Sequence, residues 1–245
     1  MLNMQTKTIH NLAKTAVLSL LTVLLVGCAT KGTNTQNYVK HDPKLISNEI
    51  VVNQPYQQVW DRLVKELSKS FYVINNIDKE SRIINLSFSS PNPTDFVDCG
   101  ETSRSYTQGG KTENYNYNVA DSSTVKLADG AQEAFAYFVI LRRSTSLEGR
   151  ANIYLAPLEN DNNKTKVAVN SRYMLTIDVS GERYAQHVNG NIFNQGAIPH
   201  VRPTVISFNT NKPVDHNFGV VEGQNVIATC FSSGKLEQEI LMFLQ

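Results

Sequence analysis

Between residues 54 and 69 the apolar side chains Tyr56, Val59, Trp60, Leu63, Val64 and Leu67 recur in steps of three and four. That period draws one continuous stripe along a helix and leaves Gln57, Gln58, Asp61, Arg62, Lys65 and Glu66 on the other side. Asn53 suits the N-cap and Pro55 the first turn. A helix with one apolar stripe must lay it on something, and the flanking sequence supplies strands. Residues 49–52 form a short β-branched run, and residues 71–74 and 82–88 read as two strands joined by a turn near residues 78–81. Ile84, Leu86 and Phe88 alternate with polar residues, the period of a sheet with one buried face. Apolar or alternating segments follow at 134–143, 150–158, 166–179, 204–208 and 225–231, with residues 159–163 as a turn. Residues 235–244, entered from Ser232-Ser233-Gly234, read as a second amphipathic helix. This order predicts an α+β fold: a curved antiparallel sheet with one helix near the N-terminus and one at the C-terminus, both on one face.

Upstream, Lys7, His10 and Lys14 form a weakly basic lead, and no acidic residue precedes Cys28. Residues 16–26 are uncharged and mostly apolar, a length that suits a signal-peptide core and falls short of the roughly 20 residues of a membrane-crossing helix. The run ends in Leu25-Val26-Gly27-Cys28, which resembles a bacterial lipobox. The resemblance implies that residues 1–27 are a signal peptide, removed after Gly27, and that Cys28 carries a diacylglyceryl group on sulfur and an acyl chain on its freed amine. Two or more chains hold a protein on a membrane where one gives only marginal binding. Ala29 stands where Asp retains Gram-negative lipoproteins in the inner membrane, so the family pattern implies the outer membrane, periplasmic face. The expected covalent lipid on Cys28 is the sole cofactor in this reading, and it makes the membrane one partner.

Of 23 basic residues two precede Cys28, which leaves 21 against 22 acidic ones in residues 28–245. A chain so balanced has no electrostatic footprint for nucleic acid. Residues 31–37, Lys-Gly-Thr-Asn-Thr-Gln-Asn, offer no helical period and nothing apolar to bury, so residues 28–44 are expected to be a flexible lipidated linker. Residues 45–245 then form one domain.

The phrase Val59-Trp60-Asp61-Arg62-Leu63-Val64-Lys65-Glu66-Leu67, with Tyr72-Val73-Ile74 and Ile77-Asp78-Lys79-Glu80-Ser81-Arg82-Ile83-Ile84, resembles the helix-grip domains of BamC-type outer-membrane lipoproteins over about forty residues. The resemblance implies a curved sheet wrapped around a C-terminal helix. A final helix of about ten residues departs from it, being short for a grip.

With Cys28 assigned to lipid, Cys99 and Cys230 remain as an even pair in an oxidising compartment and are expected to be joined. Nothing near either supplies a base for a nucleophilic thiol. His41, His187, His200 and His216 are scattered, with no metal-ligand spacing, Cys-x-x-Cys or glycine-rich phosphate loop, and no metal is expected. Asp178, Ser180 and His187 lack the strained Gly-x-Ser-x-Gly turn of a hydrolase. The chain is therefore expected not to be an enzyme.

Residues 100–130 read as the least ordered stretch, with Tyr106, Tyr115 and Tyr117 among Thr, Ser, Asn and Gly. That mixture suits a recognition surface, because Tyr offers contact area at small entropic cost; a mobile loop or an irregular edge hairpin at 112–119 is the plainer reading. Residues 184–200, with Phe193 and Asn189-Gly190, are a second candidate for such a surface and show no firm secondary structure. Two roles follow as expectations. The first is an accessory or scaffold subunit of an outer-membrane or cell-surface assembly that meets a protein partner through residues 100–130. The second is a carrier holding an apolar ligand or lipid under the last helix, and an apolar cavity there would distinguish it.

Overall fold

The computed structural model describes residues 29–221 and 224–245. The expected signal peptide, residues 1–27, and the lipidation of Cys28 lie outside the described residues. The chain begins with β1 (Thr33–Val39), β2 (Glu49–Val52), helix α1 (Tyr56–Leu67), β3 (Val73–Asp78) and β4 (Ile83–Ser90). A short 3-10 turn at Pro93–Asp95 leads to β5 (Val97–Asp98), β6 (Glu101–Gln108), β7 (Lys111–Asn118) and β8 (Ser123–Gln132). Two long strands follow, β9 (Phe135–Leu158) and β10 (Asp161–His187), then β11 (Ile192–Ala197), β12 (Thr204–Asn209), β13 (Val214–Val221), β14 (Gln224–Ser232) and helix α2 (Lys235–Met242).

The β9–β10 hairpin is the spine. Along β10 lie β2, β12 and β11 in turn; along β9 lie β4, backed by β3, and then β8. The 24 residues of β9 extend for about 80 Å at roughly 3.3 Å each, whereas the eight residues of α2 make a rod of about 12 Å at roughly 1.5 Å each. So short a helix covers only part of one face of such a spine. The expected α+β helix-grip fold is therefore corrected: strand accounts for 62% of the described residues and helix for 11%, and the architecture is mostly β. The spine runs through what reads as a break because Thr145, Leu147 and Gly149 are buried while Ser144, Ser146 and Glu148 are exposed. The alternation continues in residues too polar to announce a strand.

Both helices lie over the half of the spine near the β9–β10 turn. Val59, Trp60, Leu63 and Leu67 of α1 and Leu236, Ile240 and Leu241 of α2 join Ile84, Leu86, Ile153, Leu155, Val167, Val169 and Leu175 in one core. Phe88 lies over Gly149, its pairing partner, where a side chain would collide with the ring. A sheet of β13, β14 and β5 closes this half, and there the structure joins Cys99 and Cys230 in a disulfide.

Two further expectations are corrected. The linker expected at 28–44 contains β1, whose residues pair with β6 from Thr33↔Thr107 to Val39↔Glu101. Its alternation is one of Asn34, Gln36 and Tyr38 turned inward and Thr33, Thr35 and Asn37 turned out, which no apolar count detects. Residues 100–130 are likewise ordered, as β6, β7 and most of β8.

Candidate interaction surfaces

The β1–β6–β7 sheet has two unlike faces. Its inner face turns Asn34, Gln36 and Tyr38, Thr102, Arg104 and Tyr106, and Glu113, Tyr115 and Tyr117 toward the rest of the protein. Asn34 clamps β8 from this face: its amide donates to the Ala128 carbonyl at 3.1 Å and accepts the Ala128 N–H at 2.7 Å. Tyr106 is 2% exposed, with Lys126 Nζ 4.5 Å from its ring centroid and 4.3 Å from that of Phe138. Lys126 also meets Glu113 at 3.2 Å, and Tyr115 Oη donates to Glu113 at 2.6 Å. Burial, then the Glu113 carboxylate, push the Tyr106 phenol up to about 12. Burial and the bond to Glu113 do the same for Tyr115, also to about 12. Arg143 stands over the Tyr117 ring at 5.1 Å. The three tyrosines expected to meet a partner are thus brought together on one face, where Tyr106 meets Phe138 and Tyr117 meets Arg143 on the spine while Tyr115 is bonded to Glu113 of its own strand. Tyr106 is corrected from partner contact to core, because on an eight-residue strand its parity places it inside.

The outer face is what the sequence reading missed. Paired rungs run Thr33–Thr107–Thr112, Thr35–Ser105–Asn114 and Asn37–Ser103–Asn116, small, polar and uncharged. Their hydroxyls interlock, Thr107 with Thr112 at 2.9 Å and Thr35 with Ser105 at 2.5 Å. Among the described residues β7 pairs with β6 alone, so its other edge is open. The β6–β7 turn is Gly109-Gly110, both at positive φ, and closes on Gln108↔Lys111. In a two-residue hairpin the closing pair exchanges hydrogen bonds and the next does not. The main-chain groups of Thr112, Asn114 and Asn116 therefore point away from β6, toward the open edge. The two glycines between polar alternating runs were the legible signal for this hairpin.

At the end of the spine far from the helices, a cleft of about 650 Å³ is lined by Ala29, Thr30, Tyr106, Lys126, Gln186, His187, Val188 and Ile192 among others. The chain enters here: the Ala29 N–H donates to the Glu133 carbonyl at 3.1 Å, in the β8–β9 turn. Of residues 184–200, expected without firm structure, 184–197 are the end of β10 and the hairpin to β11, and 198–200 lie outside any strand. Phe135 makes edge contacts with His187 at 4.9 Å and Phe193 at 6.3 Å.

Under α2 lies a group of buried polar and apolar side chains. Glu237, fully buried, accepts hydrogen bonds from Tyr173 Oη at 3.0 Å, Thr210 Oγ1 at 2.6 Å and Ser232 Oγ at 3.4 Å, with Leu236 and Ile240 beside it. Asp178, Ser180 and His187 sit along one strand, β10, and His187 lies at the far tip, so the three do not converge. Among the described residues no group of three or more His, Cys, Asp or Glu is placed to hold a metal ion, and no helix is long and apolar enough to cross a membrane. Comparison of the chain with protein-family models, with curated proteins and with solved structures finds no match.

Proposed function

We propose that this chain is a lipid-anchored envelope lipoprotein that works without catalysis, as an accessory or scaffold subunit of an outer-membrane or cell-surface assembly, and that it holds a protein partner along the edge of β7. The observation that carries the reading is the open edge itself. Soluble proteins blunt exposed edges with proline, bulges or charges. β7 has no proline, its register with β6 is continuous, and of its two charged residues Lys111 closes the turn at one end while Glu113 turns inward to Lys126, so the middle of the edge carries no outward charge. A partner strand laid there would gain main-chain hydrogen bonds from Thr112, Asn114 and Asn116. The lipobox supports the anchor. Tyr173, Leu236, Glu237 and Ile240, all buried, stand beneath and on α2 where the carrier reading expects an apolar cavity.

Asn114→Pro tests this directly. It removes an outward N–H and leaves the β6–β7 ladder intact, since proline is tolerated on an edge. In detergent-solubilised envelopes the tagged wild-type protein should run in a complex larger than itself, and Asn114→Pro should run alone with unchanged thermal unfolding. A wild-type protein that elutes as a lone monomer, or a complex indifferent to the substitution, would overturn the proposal.

A further inference from the structure

This inference rests on the reading that Cys28 carries lipid. Ala29 is one peptide unit, about 3.8 Å between Cα atoms, beyond Cys28. A free stalk over residues 29–44 would allow the body to stand some 55 Å from the headgroups at roughly 3.4 Å per residue. The structure removes that slack. Ala29 is bonded to Glu133, the Thr30 carbonyl accepts from Gln108 Nε2 at 3.4 Å, and β1 is fixed from Thr33 onward. Acyl chains leaving Cys28 therefore enter the bilayer beside the β8–β9 and β10–β11 turns.

The same turns carry apolar side chains without cover. Val188 is 48% exposed, Ile192 55% and Phe193 48%. Ile192 pairs with Gln186 and Phe193 with Ala185, adjacent positions whose side chains leave opposite faces of the sheet. A flat protein partner covers one face of a strand; side chains projecting from both faces of a terminal turn match a medium that surrounds it. A second exposed apolar pair, Phe71 and Val73, lies with β3 against the middle of the spine. Val73 is level with Arg150, 15 positions from Phe135 and about 50 Å along the strands at roughly 3.3 Å each.

We propose that the far tip of the β9–β10 spine, with Val188, Ile192 and Phe193, lies in the interfacial layer of the bilayer that the Cys28 lipid enters, so that the protein stands on the membrane by its tip. Immersed apolar side chains add to the binding given by the acyl chains.

Phe193→Trp and Phe71→Trp are compared in the full lipoprotein, reconstituted in phosphatidylethanolamine and phosphatidylglycerol vesicles with and without brominated acyl chains. Trp60, 4% exposed in the core, supplies a common background read from the unsubstituted protein. Phe193→Trp should add blue-shifted emission that the brominated chains quench, and Phe71→Trp emission that they leave unchanged. The mass of the same preparation reports the lipid. A lipidated protein in which Phe193→Trp is unquenched, or Phe71→Trp is quenched equally, overturns the tip contact and spares the anchor. A mass without lipid overturns the anchor and this placement together.

Discussion

Tyr38 reaches from β1 into the seam beside the disulfide. Its hydroxyl donates to the Cys99 carbonyl at 3.1 Å and accepts the Thr229 N–H, also at 3.1 Å. Tyr38→Phe keeps the ring and strands that amide in a residue 4% exposed, so stability should fall by about 1–3 kcal/mol. The urea midpoint should drop at constant slope. Nearby, His41 Nδ1 meets Asp98 at 2.7 Å. The bond to Asp98 raises the imidazole above its ordinary value. Burial pushes the Asp98 carboxyl up, but bonds from His41, Asn118 and the Gly100 N–H outweigh it and hold the group low. The raised histidine contributes stability in full below about pH 6.5 and loses it as pH rises through the folded value; the lowered aspartate contributes above about pH 3.9 and loses it as pH falls through its own. The pair is therefore strongest near pH 5–6. Both side chains are about a third exposed, so its worth is about 1 kcal/mol or less. His41→Gln should flatten the decline above pH 6.5, and an unchanged pH profile of thermal unfolding would remove the pair from the account.

Gly149 and Phe88 show how one strand pair sets the packing of the near half. A Cβ on Gly149 would collide with the Phe88 ring at Cε1, and that ring is held by Phe96 at 4.8 Å and Tyr72 at 6.1 Å, so it has little room to yield. Gly149→Ala should cost about 1–3 kcal/mol by overpacking. Phe88→Leu opens space at the same contact, so the double substitution should cost less than the two single costs added, a coupling of about 0.5–3 kcal/mol in a double-mutant cycle. Strict additivity would refute the contact. Neither this glycine nor the length of β9 could be read from sequence, because both depend on which residues lie opposite. The α1 stripe was legible, as apolar residues in steps of three and four need no partner to be recognised. Ile84, Leu86 and Phe88 were legible for the same reason. β1, β6 and β7 were not: their inward residues are Asn, Gln, Thr, Arg, Glu and Tyr, and a polar alternation carries no hydrophobic signal, although Gly109-Gly110 marked the turn. The three tyrosines were legible as a group, but composition suggests only a surface, and register is what puts Tyr106 in the core and leaves Tyr115 and Tyr117 half-buried.

At the scale of the molecule, the disulfide closes a chain segment of 131 residues that contains the whole spine. Cys99 begins the route into the β6–β7 hairpin, and Cys230 stands on β14 just ahead of α2, so the bond ties the two ends of that route at the near half. Everything between them folds out and back from one covalent knot. Constraining a loop of that length in the unfolded chain is worth about 5 kcal/mol in the chain-entropy model. Domains have about 5–15 kcal/mol in total, so the reduced protein should be marginal. The loss should not be uniform. The bond adds a covalent tie to the packing that holds β13, β14 and α2 against the near core, whereas β8, β9, β10 and β11 are laddered to one another through the far half. In Cys99→Ala/Cys230→Ala, amide hydrogen exchange should accelerate first in residues 224–242, with the far half of the spine opening only at global unfolding. Equal acceleration throughout would mean that the two halves melt as one unit and that the bond acts on the chain as a whole; no acceleration would mean that packing of α2 against the spine suffices without it.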